Sequence, residues 1–307
     1  MSDVLVIGSI NMDLVVKVDE IPKVGETLLG NELIQVPGGK GANQAVAISK
    51  LKREVSFLGK VGNDSYGDEM IKSMNNSGVD TSLIEGCDSN TGIAVINVDK
   101  KANNNIVVIP GANFQVDNDY LNRNLDAFED TKIVLLQLEI PMETVKESLR
   151  IAKNLGKVTI LNPAPANYLD DEIIGNVDIL IPNEHELERL SKVKITDNES
   201  LLKAANMLLA KGIKEIIVTL GKEGVLYVNK NGHTLYEAHL VEAVDTTAAG
   251  DSFIGGFTTA YLLGMDMGKA IDIGQIAASL TVQKFGAQSS LPTLEEVEAH
   301  IVSKSLA

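Results

Sequence analysis

The chain has 307 residues, of which 44% are hydrophobic and 22% charged, as is typical of a folded globular protein. Its formal net charge of −15 argues against nonspecific nucleic-acid binding, because affinity for a phosphate backbone needs clustered Lys and Arg. No apolar run approaches the ~18 residues of a membrane span, and a single cysteine, Cys87, excludes an internal disulfide and favours a reducing, cytoplasmic setting.

The first predicted element is a buried parallel strand, because residues 4–10 are largely apolar. No basic segment precedes it, so we do not expect a signal peptide. Asn11, Met12 and Asp13 follow at the carboxyl end of this strand, which is where ligands bind in open α/β sheets. Asp13 is therefore a candidate to bind a polar ligand; the alternative is an aspartate that only forms a turn.

Two β segments are predicted to form a small sheet apart from the main fold. Residues 14–35 alternate in part and contain Pro22, Gly25 and Gly30, which favours short antiparallel strands over a helix. Residues 91–109 contain two apolar runs around a polar turn, the pattern of a hairpin. Such a sheet is a lid over the main domain, a decoration or a dimer surface.

A glycine-rich turn at residues 37–43 leads into a predicted helix that ends near Leu51. It matches neither the dinucleotide fingerprint nor the phosphate-binding loop of P-loop enzymes. Its glycines let a ligand approach the backbone, and Lys40 and Asn43 can hydrogen-bond hydroxyl groups. The alternative is a tight turn between a strand and a helix.

From residue 131 onward, predicted strands and helices alternate. The strands cover residues 132–138, 158–161, 179–181 and 215–220, and the helices cover 141–155, 201–211 and, at the end of the chain, 294–306. Each buried strand ends in a polar or glycine-rich loop, the first of them at Glu139. We therefore expect a doubly wound, mostly parallel sheet flanked by helices, in one domain of residues 1–307 with a binding crevice at one edge.

Asn183 and Glu186 lie three residues apart after one of these strands, so a helical turn would put both on one face. An amide and a carboxylate there suit a largely hydrated Mg²⁺. A capping box has the same spacing, with Asn183 capping the helix and Glu186 reaching back, and this alternative stays open.

The turn at residues 245–251 is the strongest candidate for chemistry. It follows an apolar, strand-like run at 240–244 and precedes a predicted helix at 252–263. Small residues at the start of a helix leave backbone amides open to an anion. Asp251 would lie beside that anion and is a candidate base for phosphoryl transfer. Alternatively, Asp245 or Asp251 only caps the helix.

Taken together, these segments resemble the ribokinase/PfkB carbohydrate kinase family. Residues 38–45 resemble its first signature, and residues 245–251 resemble its second, which is highly specific. Residues 11–13, 162–166, 183–186 and 219–224 follow in the family order, so the resemblance covers essentially the whole chain.

The resemblance implies an ATP-dependent kinase that phosphorylates the 5-hydroxyl of D-ribose, with Asp251 as the base. The amides of Ala248, Ala249, Gly250 and Asp251 would form the anion hole for the γ-phosphate. The implied sugar-binding residues are Asn11, Met12, Asp13, Gly39, Lys40, Gly41, Ala42, Asn43, Glu139 and Asp251. The implied ATP-binding residues are Asn183, Thr219, Leu220, Gly221, Lys222, Glu223, Gly224, Gly250, Asp251 and Gln275.

The resemblance also implies two cations and a partner. Glu186 would bind Mg²⁺ through a water molecule. A monovalent cation, typically K⁺, would be bound by Asp245, Thr247, Thr281, Lys284, Gly286 and Ser290. The lid of the family corresponds to residues 14–36 and 91–110, which is also its usual homodimer surface. Small departures from the family pattern are His185 in place of Thr, Ser252 in place of Thr and Gln275 in place of Asn.

Two rival functions remain at this level. One is a kinase of the same family that acts on deoxyribose, fructose or a nucleoside. Six Phe, six Tyr and no Trp disfavour a nucleoside, whose base needs an apolar or aromatic pocket. The other is a non-catalytic sugar-binding protein, which would be expected to lack the aspartate or the glycine-rich turn; this chain has both.

Overall fold

The computed structural model describes residues 2–101 and 103–305, so position 102 of the predicted lid and position 306 of the predicted last helix lie outside the described residues. The strands are β1 (Val4–Ile7), β2 (Asn11–Lys17), β3 (Glu32–Gly38), β4 (Val55–Leu58), β5 (Lys60–Gly62), β6 (Glu85–Cys87), β7 (Gly92–Val98), β8 (Asn104–Ile109), β9 (Ile133–Leu136), β10 (Val158–Leu161), β11 (Ile179–Leu180), β12 (Glu215–Thr219), β13 (Val225–Asn229) and β14 (Gly232–Tyr236).

The helices lie mostly in the second half of the chain. They are α1 (Lys40–Lys50), α2 (Ser65–Asn76), α3 (Asn118–Arg123), α4 (Leu125–Glu129), α5 (Met142–Asn154), α6 (Asp171–Gly175), α7 (Glu184–Ser191), α8 (Asn198–Ala210), α9 (Ala249–Leu262), α10 (Met267–Thr281) and α11 (Leu294–Ser305), with short 3-10 turns at Gly111–Gln115 and Gly221–Glu223. Within the described residues, no helix is both long and apolar enough to cross a membrane.

The main sheet has eight strands in the order β14-β13-β12-β11-β10-β9-β1-β4. All neighbours pair in parallel except the β12–β13 and β13–β14 pairs, which form an antiparallel edge. Successive residues of β1 alternate between two hydrophobic clusters, with Leu5 and Ile7 in one and Val4 and Val6 in the other. A strand buried on both faces explains its continuous apolar sequence and confirms the predicted doubly wound α/β fold.

A second, four-stranded sheet has the order β3-β2-β7-β8. We call it the lid sheet. Its β2–β3 and β7–β8 pairs are antiparallel, as the two β segments predicted, and β2 pairs with β7 in parallel. The chain enters this sheet at Asn11, earlier than expected, so residues 11–13 form its first strand rather than a loop at the end of β1. That these residues act as a lid stays a prediction.

The strand predicted at residues 240–244 is wrong. This segment has no regular structure, and Leu240 and Val244 are 78% and 47% exposed. The β13–β14 hairpin already occupies the adjacent edge of the sheet. Val244 and Asp245 donate backbone hydrogen bonds to the carbonyl of Val282, which directly follows α10.

Helices α1 and α9 approach each other closely across the molecule. A Cβ added at Gly255 would lie 2.4 Å from the Cβ of Ala47, so the contact requires a glycine at that point. This packing brings the first turn of α1, which follows the glycine-rich turn, against the first turn of α9, which carries Asp251. Two distant sequence motifs thereby meet at one site.

Candidate active site

The N-terminus of α9 is built to bind an anion. Ala248 precedes the helix with φ 59° and ψ 10°, a left-handed conformation that non-glycine residues seldom adopt, and no side chain caps the helix there. The first-turn amides of an uncapped helix carry partial positive charge and lack intrahelical acceptors. The turn at residues 248–251 lines a cavity of about 240 Å³. The backbone nitrogen of Ala249 donates to the carbonyl of Thr246 at 3.3 Å, so the amides of Ala248, Gly250 and Asp251 are left as donors to an anion.

Asp251 lies in the first turn of α9 and is buried. Its Oδ2 accepts a hydrogen bond from Asn43 Nδ2 at 3.0 Å, and its Oδ1 accepts one from Gln44 Nε2 at 2.9 Å. Neither bond is a helix cap, so the cap alternative for Asp251 does not hold. The carboxylate is instead fixed by two amides of α1 at the wall of the cavity, where a base for a sugar hydroxyl would be needed.

The sugar side of this site contains polar groups from β2, α1 and the end of β9. Asn11 is buried, and Asn43 has a buried side-chain oxygen with no hydrogen-bond partner in the described part of the chain. Such an orphaned acceptor is costly unless a ligand hydroxyl donates to it. Asn43 thus holds Asp251 through its nitrogen, and its oxygen is left for a ligand hydroxyl.

Asp13 and Lys40 give the sugar side its charge. Burial, followed by the charges of Glu139 and Asp251, raises the pKa of Asp13 to about 7, although Lys40 opposes this shift. Burial alone disfavours the charged form of Lys40, yet the carboxylates around it outweigh burial and keep its pKa above the ordinary value. Lys40, which lines the first cavity, therefore stays charged, and the nearby Asp13 has a pKa of about 7.

Glu139 has a structural task as well. Its Oε2 accepts hydrogen bonds from Ser9 Oγ and from the backbone nitrogen of Lys40, the second at 3.2 Å. No side chain of the glycine-rich turn caps α1, since Gly39 is its N-cap, with φ 90°. Glu139 therefore stabilises the start of α1 from a neighbouring strand end.

Met12 and Ala42 do not offer side chains to a sugar. Both are fully buried in a hydrophobic cluster of the main core. In β2, successive side chains point to opposite faces, so Met12 faces the core while Asn11 and Asp13 share the other face. The amides of Gly41 and Ala42 are also occupied, since they donate to Ser9. Contrary to the prediction, the side chains of Met12 and Ala42 and the amides of Gly41 and Ala42 are therefore not free to bind a sugar.

A second cavity, of about 360 Å³, adjoins the first. Both are lined by Thr219, Thr246, Ala249 and Gly250, so the anion site lies where they meet. Of the predicted ATP-binding residues, this cavity is lined by Thr219, Gly221, Lys222, Gly224, Gly250 and Gln275. Leu220 and Glu223 are not in its lining: Leu220 packs against the core and Glu223 is exposed.

The sequence did not reveal the apolar wall of this second cavity. Leu240, Val241 and Ala243 form it together with Phe253 from α9 and Val282 after α10. Three residues of the run that resembled a strand therefore line this cavity. Gln275 Nε2 donates to the carbonyl of Glu237 at 3.0 Å and ties this wall to α10.

Asn183 and Glu186 form a capping box at the start of α7, the alternative that the sequence left open. Asn183 Oδ1 accepts from the amide of Glu186, and Glu186 Oε2 accepts from the amide of Asn183, both at 2.8 Å. Both residues also line the first cavity. Burial is the main cause that raises the pKa of Glu186, while the bond from Asn183 opposes it. The box engages Oε2 of Glu186 and leaves its Oε1 to a hydrated cation, so the residues fit Mg²⁺ bound through water.

The loop after α10 packs against the turn before α9. Asp245 Oδ1 accepts from the backbone nitrogen and hydroxyl of Thr247, and its Oδ2 accepts from the backbone nitrogen of Gly286 at 3.0 Å. Burial alone raises the pKa of Asp245, but these bonds outweigh it and lower the pKa. Asp245 therefore stays charged and holds the turn before α9 against the loop after α10.

The other residues predicted to bind a monovalent cation lie on the same loop or at its start. Thr281 and Ser290 are buried, and their hydroxyls donate to Ser252 and to the carbonyl of Ala287. The side chain of Lys284 forms an ion pair with Glu296, which leaves only its carbonyl for a cation. Oxygen donors of this kind fit a monovalent cation. Across residues 2–101 and 103–305, no cluster of three or more His, Cys, Asp or Glu side chains is arranged to hold a metal.

Comparison with known proteins agrees with the family that the sequence motifs resemble. A family model described as pfkB family carbohydrate kinase matches residues 1–294. The chain is 41% identical to a ribokinase of Staphylococcus aureus over 96% of this chain and 98% of that protein. It is 36% identical to a deoxyribokinase of Salmonella typhi over 97% of this chain and 98% of that protein. A structure of Arabidopsis thaliana ribokinase complexed with ribose and ATP has a TM-score of 0.90 and 30% identity over 97% of this chain and 98% of that chain.

Proposed function

The chain belongs to the pfkB family of carbohydrate kinases, and we propose that it transfers the γ-phosphoryl group of ATP to the 5-hydroxyl of D-ribose. The observation that carries this proposal is the position of Asp251. It lies at the uncapped start of α9, in the wall of the first cavity and beside the part that it shares with the second. One cavity suits a nucleotide, the other suits transferring phosphate, and the sugar-binding groups surround the base.

In this proposal each step falls to residues of this chain. Asp251 accepts the proton of the sugar hydroxyl as that oxygen bonds to the γ-phosphorus, and the bond between the γ-phosphorus and the bridging oxygen breaks to release ADP. Because the transition state is loose, alignment and charge neutralisation contribute most of the rate. The amides of Ala248, Gly250 and Asp251 bind the equatorial oxygens. Lys40 lines the first cavity and stays charged, so it attracts the transferring phosphoryl group.

Divalent and monovalent cations complete the proposal. An ATP-dependent kinase of this family uses a divalent metal such as Mg²⁺, which would supply positive charge to neutralise the phosphate oxygens. Glu186 would hold its water shell. For K⁺ we propose the loop around Asp245, because hydrogen bonds from Thr247 and Gly286 keep that carboxylate charged and join the turn before α9 to the loop after α10.

The lid sheet is proposed to close over the sugar and to join two copies of the chain. Strand β8 is exposed along its whole length although it contains four consecutive apolar residues, Ile106 to Ile109. An exposed apolar strand of this kind is usually covered. A homodimer through the lid sheet would cover it, and Val107→Lys should then shift the sedimentation profile from dimer to monomer. We propose the cytoplasm as the compartment, in keeping with the single cysteine.

The deciding experiment measures ADP release with Mg²⁺ and ATP over a panel of ribose, deoxyribose, fructose, adenosine and pseudouridine, with and without K⁺. We expect turnover with ribose that K⁺ raises. A preference for deoxyribose, the substrate named for the Salmonella relative, would keep the mechanism and change the specificity. Turnover on none of the sugars would overturn the proposed function.

A further inference from the structure

The base is held by amide side chains that no catalytic role yet explains. Gln44 is fully buried, and its Nε2 donates to Oδ1 of Asp251 at 2.9 Å across 207 positions of sequence. With the bond from Asn43 to Oδ2, both oxygens of the carboxylate accept an amide hydrogen bond. Hydrogen bonds to the ionised form of a carboxyl favour that form.

The direction of the Gln44 amide is fixed from behind. Its Oε1 accepts a hydrogen bond from Gln137 Nε2 at 2.6 Å, and its Nε2 also reaches Asn162 Oδ1 at 3.2 Å. Asn162 in turn donates to the carbonyl of Ile181 at 2.9 Å. A side-chain amide accepts at one end and donates at the other. With its oxygen bound to Gln137, Gln44 must direct its N–H groups toward Asp251.

Gln137 is the next amide in this series of hydrogen bonds and lies in the interior of the protein. Gln137 follows β9 and is fully buried. Only a glycine leaves room for it, because a Cβ at Gly8 would lie 2.1 Å from Gln137 Oε1. Gln137 thus occupies a fixed place, and its amide reaches Asp251 only through Gln44.

We propose that Gln44 and Gln137 are positioning residues that fix the rotation of the Asp251 carboxylate toward the sugar hydroxyl. The proposal rests on the proposed kinase function. Gln44 acts on Asp251 directly, and Gln137 acts by setting the direction of Gln44. Both therefore act through the orientation of the base.

The distinguishing readout is the acid limb of the pH profile of kcat/KM, which reports the protonation of the base in the free enzyme. Gln44→Glu replaces a donor by a carboxyl of the same size, and two adjacent carboxyls share a proton and raise the apparent pKa. We expect the acid limb to move at least one pH unit upward.

Gln137→Glu tests the relay, although it is remote from the base. A carboxylate at 137 cannot donate to Gln44 Oε1, so Gln44 would reverse and turn its oxygen toward Asp251. The acid limb should move upward again, by less than in Gln44→Glu. The double variant Gln44→Leu with Gln137→Glu should show no effect of the second change, because the relay is already cut.

Gln115→Glu is the control. Gln115 is exposed, and its substitution adds the same single negative charge as Gln44→Glu. All variants are measured with the sugar that the wild-type protein turns over fastest, so a wrong sugar assignment does not affect the outcome. A wild type inactive on every sugar would refute the kinase function itself. An active wild type whose acid limb stays in place in Gln44→Glu, even with a lowered melting temperature, would show that the amides only support folding and would overturn the proposal.

Discussion

Asn113 donates a hydrogen bond from its side-chain nitrogen to the side-chain oxygen of Asn11 at 2.8 Å, although 102 positions separate the two residues. Asn113 also accepts from the amide of Ile10 at 2.8 Å and donates to the carbonyl of Ile10 at 3.1 Å. It therefore fixes the point where the chain leaves β1 and enters the lid sheet. Because the oxygen of Asn11 is engaged, its N–H₂ group is left to donate to a sugar.

Asn113→Ala should weaken sugar binding. Each lost buried hydrogen bond costs about 1–3 kcal/mol, so we expect the KM for the sugar to rise at least tenfold while the KM for ATP stays within about twofold. Steady-state kinetics with each substrate varied in turn measure this split. Asn105→Ala, an exposed asparagine of β8, is the control. An equal rise in both KM values would contradict a specific effect on Asn11.

Asp251→Asn should abolish most turnover and leave nucleotide binding intact. Removal of a general base typically lowers the rate by about 10²–10⁴, whereas the backbone amides of the anion hole remain. Single-turnover kinetics and calorimetric titration with an ATP analogue separate the two effects. Asp119→Asn, exposed on α3, controls for the lost charge. Near-wild-type turnover in Asp251→Asn would refute the assignment of the base.

Asp13 predicts a dependence of sugar affinity on pH. Its pKa is raised to about 7, with burial as the largest cause, whereas sugar hydroxyls donate best to the ionised carboxylate. The KM for the sugar should therefore fall as pH rises from about 6 to 8. Asp13→Asn should have a high KM that does not change over this range. A wild-type KM that stays constant would contradict the raised pKa.

The same residue predicts how stability changes with pH. Between the unfolded pKa of 3.8 and the folded pKa of about 7, the folded state binds more protons at Asp13 than the unfolded state does. This contribution to the free energy of unfolding therefore decreases as pH rises through that range. Relative to the wild type, Asp13→Asn should gain melting temperature between pH 4 and 7 and show no further gain above it. Calorimetry of the ligand-free protein measures the difference.

Glu186 has two tasks that a pair of variants separates. Gln at the same position can still accept from the amide of Asn183 and complete the capping box, but it lacks charge. Glu186→Gln should therefore keep its melting temperature and need several-fold more Mg²⁺ for half-maximal rate. Glu186→Ala should lose both the capping hydrogen bond and the charge, and its free energy of unfolding should fall by about 0.5–2 kcal/mol. An unchanged Mg²⁺ requirement in Glu186→Gln would leave Glu186 as a cap only.

The sequence predicted the elements whose pattern is local. Strand β10 lies at the predicted residues, Val158–Leu161, because a strand buried on both faces has a continuous apolar run bounded by polar turns. The same criterion misassigned residues 240–244, since a run that lines a ligand cavity is as apolar as a buried strand. An apolar run in the sequence indicates side chains that avoid water, but it does not indicate whether they pack in a sheet or line a cavity.

The long-range contacts of the site were beyond the sequence. Gln44 stands within the first signature, but its bond to Gln137 depends on how α1 packs across the end of β9. Asn113 follows a Pro-Gly pair and reads as an ordinary turn residue. In both cases the function of an amide is set by the partner that the fold supplies, and a single sequence contains no record of that partner.

The contact between Asn43 and Asp251, across 208 positions, also sets the order in which the site arises. A protein is synthesised from its N-terminus, so β2 and α1 leave the ribosome long before α9 exists. An unfinished chain has the residues that hold a sugar but has neither the anion hole nor the base. Nascent chains therefore cannot consume ATP, and the capacity to transfer phosphate is acquired only near the completion of synthesis.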